Sequence, residues 1–270
     1  MGGQSCFFIP NDMMLTLQDL IAVVREASRL MAVDHFDVSQ KDGYANIITS
    51  SDLAVQEFLC DRLAQLLPGS GFLCEEADLH DASHAYTWII DPIDGTANYS
   101  RGIDQCAICV GLRYDGEMQM GVVYLPRTDE LFSAERGRGA FLNGRPIHVS
   151  DRPFADGIVC TAFAVYYKEH TDLCMDIVRD IYSQCNDFRR FGACAPELCY
   201  LAMGRCELYF EYLLSPWDFA AASLILTEAG GYITDLTGQP LSCISPSGAI
   251  AANSPENLQR LQQIVGSRMA

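Results

Sequence analysis

Two aspartates three positions apart, Asp91 and Asp94, close a short apolar run and are followed by Gly95, Thr96 and Asn98. Carboxylates suit hard cations, and backbone donors at a turn suit anionic oxygen. Residues 86–102 (YTWIIDPIDGTANYSRG) therefore read as a reaction centre where a divalent cation and a phosphate are held together. Three further acids, Asp52, Glu75 and Asp218, stand at the ends of predicted elements on separate segments, where active sites of layered α/β proteins collect. Five carboxylates cannot share a cleft unpaired, because like charges raise each other's pKa. Mg²⁺, which keeps several waters and bridges to phosphate, is the partner such a set selects. The chemistry that follows is phosphoester hydrolysis by two-metal logic, one ion activating water and another stabilising the leaving oxygen. An EF-hand loop is excluded, since the twelfth position counted from Asp91 is Gly102 where a glutamate is required. The phosphatase class with a strand-end D-x-D-G-T and a nucleophilic first Asp is a closer rival, but here the acids are three apart, which aims the second in another direction.

Composition narrows the classes. With 270 residues, 49% of them apolar, the chain can bury a large core. A net charge of −17 provides no basic stripe for phosphate backbones, so no nucleic-acid partner is expected. No apolar run reaches the ~20 residues of a membrane span, so no membrane partner is expected either. The amino terminus lacks the pattern of a secretory signal, and Cys6 stands where myristoylation wants Ser or Thr. Twelve cysteines show no regular spacing, and Cys106-x-x-Cys109 lies in an apolar run. Free buried thiols and a cytoplasmic setting are expected.

The elements that must position the acids follow from local signals. A lead-in over 1–12 precedes an amphipathic helix over 13–32, marked by Leu17, Leu20, Ile21, Val24 and Ala27. A polar turn at 41–44 enters a strand over 46–49. Thr49, Ser50 or Ser51 caps the next helix, which runs to about 67 with Asp52 in its first turn, where an acid also complements the helix dipole. Strand 71–74 ends on Glu75-Glu76. Strand 86–90 should stop at Pro92, which cannot donate to a ladder, and a helix could open at Thr96. Strands over 107–112, 119–124, 130–134 and 139–142 with hairpin turns form an antiparallel meander. A polar stretch at 150–154 divides an α+β half (13–150), carrying most of the acids, from an α/β half (151–270), with the site between them. The second half reads as strand 157–162, helix 171–183, strand 187–191, helix 196–203 with Pro196 first, and strand 206–212. It continues with a helix opened by Pro216-Trp217-Asp218 and stopped by Gly230-Gly231, strands 232–235 and 249–252, and a helix over 255–265. The fold class is α/β with layered α+β character.

Asp91-Pro92-Ile93-Asp94-Gly95-Thr96-x-Asn98-Tyr99 resembles the signature of the inositol monophosphatase family, in which the last position is usually Phe. Trp217-Asp218 with Glu228-Ala229-Gly230-Gly231 resembles that family's second signature. Smaller matches fall in the same order: Ile48-Thr49-x-x-Asp52, Glu75-Glu76, GRGAFLN at 137–143, Gly192 and Ala251-Ala252-Asn253. The resemblance spans roughly residues 15 to 265 and implies an αβαβα five-layer sandwich of the fructose-1,6-bisphosphatase kind. It implies that Glu75, Asp91, the Ile93 carbonyl, Asp94 and Asp218 bind Mg²⁺, with Asp52 completing a further site, for two to three ions in all. Thr96 with Asp52 would orient or deprotonate the attacking water beside Glu75, with no phosphoenzyme. The Gly95 and Thr96 N–H groups would hold phosphate. Glu211, with Asp94, would contact substrate hydroxyls, and Gly192, Ala193 and Cys194 would line the substrate side. Lys41 matches a lysine on the family's mobile active-site loop. Lithium sensitivity and a homodimer are further family expectations.

Departures are few. Cys74 replaces the Gly before the Glu pair and places a thiol near the metal position; Cys194 replaces a small residue; Tyr99 adds a hydroxyl; and Leu213-Leu214-Ser215-Pro216 makes an apolar rim. The substrate expected is a small phosphorylated polyol or sugar, inositol monophosphate first. Fructose 1,6-bisphosphate, 3′-phosphoadenosine 5′-phosphate, histidinol phosphate and NADP are the alternatives, as is a protein- or RNA-binding role on the same fold. Glu211 favours a polyol over a nucleotide, and the lack of a basic cluster disfavours substrates with several phosphates.

Overall fold

The computed structural model describes residues 15–32, 35–41, 46–76, 80–163 and 165–269. The lead-in over 1–12, the helix start at Met13 and most of the polar turn at 41–44 lie outside the described residues. In chain order the elements are α1 (Leu17–Ala27), β1 (Val38–Gln40), β2 (Ile47–Thr49), α2 (Ser50–Leu66), β3 (Gly71–Cys74), β4 (Tyr86–Asp94) and α3 (Thr96–Tyr99). Then come β5 (Ala107–Tyr114), β6 (Glu117–Leu125), β7 (Glu130–Glu135), β8 (Ala140–Leu142), β9 (Arg145–Ile147) and β10 (Ile158–Ala162). The chain continues with α4 (Thr171–Tyr182), β11 (Asp187–Arg189), α5 (Cys194–Ala202), β12 (Leu208–Leu214) and α6 (Pro216–Glu228), and ends with β13 (Tyr232–Thr234), β14 (Ser247–Ala252) and α7 (Pro255–Met269).

Five layers result. β3 to β9 lie in sequence order in a seven-stranded sheet, antiparallel except for the β3–β4 pair, as hairpin-length connections require. A second sheet, ordered β11-β10-β12-β14-β13, is parallel around β10 and antiparallel around β14. Helices α1 and α2 cover one face of the first sheet through Leu20, Val24, Leu59, Trp88, Ile90 and Val122. Helices α5 and α6 fill the space between the sheets, and α4 and α7 cover the outer face of the second. Among the described residues no helix is long and apolar enough to cross a membrane.

The central layer depends on missing side chains. Gly111 of β5 pairs in register with Gly121 of β6, and both face Ala221 of α6. A Cβ at Gly121 would lie 2.6 Å from the Ala221 carbonyl oxygen, a backbone atom that cannot swing aside. The run Ala220-Ala221-Ala222 thus packs directly on the sheet and fixes the start of α6, with half-buried Asp218 in its first turn. Gly121→Ala is expected to destabilise the fold by about 1–3 kcal/mol. A urea midpoint indistinguishable from wild type would refute this contact.

Several elements differ from the sequence reading. β1 and β9 are additional; both are edge strands, and Pro146 in β9 is the kind of residue an edge tolerates. Helix α5 starts at Cys194, so Pro196 is its third residue rather than its first. That is still within the turn whose N–H groups have no intrahelical partner. Cys106 and Cys109 are buried in cores on opposite faces of the first sheet and do not form a pair; the described cysteines are free thiols.

Candidate active site

Strand β4 does not stop at Pro92; it continues to Asp94. In a regular strand, residues three apart face opposite sides. Here Asp91 pairs with Cys109 and Asp94 with Ala107, so three steps on β4 oppose two on β5. The extra residue is a bulge, with Pro92 in it, where the missing N–H does no harm. Cross-strand partners share a face, and Cys109 and Ala107 both belong to the core between the sheets. Asp91 and Asp94 are thus turned the same way, while Ile93 is turned into the opposite core. The expectation that the second acid points elsewhere is corrected by this bulge.

Asp52 and Asp218 arrive by one device. Each is the third helical residue of a capping box, α2 with Thr49 and α6 with Ser215. Asp52 Oδ2 accepts the Thr49 N–H at 2.8 Å, and Asp218 Oδ2 accepts the Ser215 N–H at 2.7 Å. The cap consumes one oxygen of each acid. Asp52 Oδ1 is reached by the Thr96 hydroxyl at 3.1 Å, which also lies 3.0 Å from the Ile93 carbonyl. Thr96 follows Gly95, whose left-handed φ of +85° makes the turn. A Cβ there would lie 2.8 Å from the Gln105 carbonyl and 3.0 Å from the Ala193 Cβ, so glycine is required. Asn98 holds the turn by donating to the Gln105 and Phe191 carbonyls, each at 2.7 Å.

Glu75 directly follows β3, and its N–H donates to the Ile90 carbonyl at 3.1 Å. Lys41 pairs with Glu75 at 3.0 Å and also with Glu76. Glu76 faces away from solvent, its backbone held by both ends of the Gln56 amide. The Cys74 thiol points into the α2 side of the sheet, 3.8 Å from Cys60 Sγ, and is fully buried. The Tyr99 hydroxyl serves the scaffold, donating to the Met31 carbonyl at 3.0 Å and meeting Ser51 Oγ at 2.9 Å.

Glu75, Asp91, Asp94 and Asp218 wall a cavity of about 180 Å³. Ile93, Gly95, Thr96, Gly192, Ala193, Cys194 and Glu211 also line it. Leu213 and Leu214 supply the apolar rim. Asp52 is fully buried behind Thr96, and Lys41 reaches the site through Glu75. Asp94 is fixed across the cleft, accepting the Ala195 N–H at 2.6 Å and the Cys194 N–H at 3.3 Å.

Burial, then the charges of Glu75, Asp94 and Asp218, pushes the Asp91 carboxyl well above the usual range. Burial raises Asp94 to about 7, against the opposing pull of the Ala195 and Cys194 N–H groups. Asp218 rises well above its ordinary value through burial, then through Glu75 and Asp94. Asp52 rises chiefly by burial, offset by its bonds from Thr49 and Thr96. Burial and mutual repulsion thus both favour the neutral acids, an effect that a bound cation would oppose. Among the described residues, Asp91, Asp94 and Asp218 form no ion pair, and no three acids close into a ready-made cage. The set fits Mg²⁺ nonetheless, because that ion takes one or two carboxylates and completes its shell with water and phosphate.

Several residues at the site were not singled out from sequence. Tyr166 and Arg190 line the cavity. Glu197, wholly buried on α5, accepts the Phe191 N–H at 2.6 Å and the Gly192 N–H at 3.0 Å and so pins the loop before Ala193. Tyr209 lies behind Glu211. A buried acid six residues after an aromatic-Gly turn carries no local signal that separates it from a helix's first-turn carboxylate. Away from the cavity, Glu228 of the second signature accepts the Gly137 and Gly139 N–H groups, each at 2.8 Å, so GRGAFLN and that signature meet in space.

A five-layer αβαβα sandwich with acids gathered at element ends is an architecture already known in solved structures. The chain aligns with the extragenic suppressor protein SuhB of Bartonella henselae at a TM-score of 0.84 and 30% identity, covering 92% of this chain and 97% of that one. An inositol monophosphatase from Anabaena aligns at 0.82 and 30% identity, covering 93% and 95%. The sandwich is thus the fructose-1,6-bisphosphatase-like fold. The model of the inositol monophosphatase family matches residues 13–269, and the chain belongs to that family. The Nus factor SuhB of Vibrio cholerae is 36% identical over 241 residues, 88% of each chain. Membership places the chain in a family of generally metal-dependent phosphatases whose substrates are small phosphorylated molecules.

Proposed function

We propose that this protein is a Mg²⁺-dependent phosphomonoesterase that hydrolyses inositol monophosphate, such as inositol 1-phosphate, to inositol and phosphate. The observation that carries the reading is the Thr96–Asp52 hydrogen bond at 3.1 Å beside a wall of four carboxylates. Glu75, Asp91, Asp94, Asp218 and the Ile93 carbonyl, with Asp52 at a further position, would hold two to three Mg²⁺ ions. Bound there, the ions supply positive charge to the phosphoryl oxygens and lower the pKa of water. The chain's own groups do the rest. The Thr96 hydroxyl orients the attacking water, and Asp52, whose carboxyl is raised by burial, takes the proton through Thr96. The Gly95 and Thr96 N–H groups hold the phosphate. Glu211, with Asp94, receives the polyol hydroxyls, and Lys41 closes the Glu75 side. No phosphoenzyme forms. A cytoplasmic homodimer inhibited by Li⁺ completes the reading.

Phosphate release from inositol 1-phosphate, fructose 1,6-bisphosphate, 3′-phosphoadenosine 5′-phosphate, histidinol phosphate and NADP tests it. The assay is run with Mg²⁺, with Mg²⁺ plus Li⁺, and with chelator. Turnover that needs Mg²⁺, falls with Li⁺ and is led by inositol 1-phosphate is expected. Turnover led by another compound keeps the mechanism and replaces the substrate, and none at all from folded protein overturns the enzyme reading. A second reading rests on the relatives named Nus factor SuhB: the same fold serving a macromolecular partner. It would survive Asp91→Asn, which disables the acid wall, whereas the phosphatase function would not.

A further inference from the structure

We infer that Tyr209, backed by the Cys194 thiol, is a positioning residue that sets the protein's preference for hydroxyl-bearing substrates by fixing Glu211. The inference rests on the reading that Glu211 meets substrate hydroxyls. Tyr209 and Glu211 are two apart on β12, so the strand period places both side chains on the face towards α5. The Tyr209 hydroxyl lies 2.5 Å from Glu211 Oε2 and 3.0 Å from Cys194 Sγ, the first residue of α5. Cys194 and Glu211 border the cavity, whereas Tyr209 does not and is wholly buried. Any effect of Tyr209 on substrate must therefore pass through its neighbours.

A phenol has one proton and two neighbours here. The Glu211 oxygen is the closer neighbour, 2.5 Å against 3.0 Å, so it takes the phenol proton. The contact with sulfur is then an S–H donated to the phenol oxygen. The result is an ordered chain from Cys194 through Tyr209 to Glu211. It uses Oε2 and leaves hydroxyl binding to Oε1. The site also falls beside a second bulge, between Glu211 and Leu214, where β12 leaves regular pairing and backbone register alone does not fix the side chain. A carboxylate fixed before substrate arrives has no rotamer freedom left to lose on binding. The two residues that do this, a tyrosine beneath the acid and a cysteine beside it, lie outside both family signatures.

The test compares kcat and KM for inositol 1-phosphate with those for p-nitrophenyl phosphate, which has no hydroxyl for Glu211 to meet, in Mg²⁺. Tyr209→Phe removes one oxygen and keeps the ring. It is expected to lower kcat/KM for inositol 1-phosphate about tenfold, chiefly through KM, and that for p-nitrophenyl phosphate less than about twofold. Glu211→Gln should narrow the same ratio, and Tyr209→Phe added to it should cost nothing more, because the two act as one unit. Equal losses on both substrates, or a further loss in the double variant, overturn the inference and leave the polyol reading standing. A ratio untouched by Glu211→Gln overturns that reading and the inference with it. If Tyr209→Phe does not fold, Cys194→Ala decides: the ratio should fall about two- to threefold, and no fall overturns the inference.

Discussion

Asp91→Asn is expected to make the metal-free protein more stable while cutting Mg²⁺-dependent phosphate release by about three orders of magnitude. Both effects come from the same buried oxygen atoms. Asp91 is 1% exposed and sits among Glu75, Asp94 and Asp218, so without a cation its charge is opposed by burial first and by three acids next. In the unfolded chain it ionises freely. Folding above pH 4 must therefore protonate it or hold it charged at a cost, and asparagine removes that cost. The substituted amide would still accept the Ile93 N–H, which Asp91 Oδ1 receives at 3.0 Å, so the bulge keeps its shape. A gain of about 2 kcal/mol at pH 8 would raise the melting temperature by roughly 4–8 °C. The gain should shrink towards pH 4 and vanish below about pH 3, where the aspartate is protonated in both states. Activity moves the other way, because an amide supplies no charge to a cation, and about 4 kcal/mol of lost transition-state stabilisation is a thousandfold. A variant less stable than wild type at pH 8 without metal, or one retaining a tenth of the turnover, would show that the acids do not act as a strained metal-binding set.

The second expected result concerns pH. The melting temperature of the metal-free protein should fall by on the order of 10 °C between pH 5 and pH 8, and saturating Mg²⁺ should restore most of it at pH 8. Asp94 and Glu76 are each raised to about 7 and Glu211 to about 8, all chiefly by burial, and Asp91 and Asp218 move in the same direction. A carboxyl whose folded pKa exceeds its unfolded value binds more protons folded than unfolded. Its contribution is complete below about pH 4 and is lost as pH rises through the folded pKa, so stability declines across the window. Other shifted groups act elsewhere. Asp81, Asp129 and Asp187 are lowered, by bonds from Ser83, Arg25 and Arg189 first, and their stabilisation is lost only as pH falls below about 4. The raised thiols and Lys41 titrate above the window. Differential scanning fluorimetry of chelated protein, with and without added Mg²⁺, gives the answer. A flat or rising profile without metal would mean that the acid wall is already compensated.

Much of the site was legible because its signals are local. Asp52 and Asp218 could be placed in helix first turns from the Thr49–Ser51 cap candidates and from Pro216-Trp217-Asp218, and the structure makes both full capping boxes, with Thr49 and Ser215 as the caps. The reading of such acids as helix-dipole partners and the reading as site residues hold together, since a carboxylate has two oxygens and the cap takes one. The apolar run before Asp91 and the Gly95 turn were likewise set by nearest neighbours. Pro92 misled for the same reason: a missing N–H argues for a strand end, but it also suits a bulge, and which applies depends on the strand alongside. The hydroxyl of Tyr99 looked incidental beside a phenylalanine-preferring motif, yet it ties α3 to Ser51 at the start of α2 and to Met31.

The sequence by itself determined most of the elements and their order, and that five acids would stand at element ends, because capping, apolar periodicity and Gly/Pro punctuation act over a few residues. It also carried the family, through two long signatures in order. The tertiary structure decided which way those acids face. The bulge that turns Asp91 and Asp94 to one side exists only against β5, and Lys41 meets Glu75 and Glu76 across 34 and 35 residues of chain. Glu197 and Tyr209 acquire their roles only where α5 packs beside β12. Side-chain direction depends on register between strands and on packing between layers, and these are fixed by contacts far apart in sequence that no local pattern records.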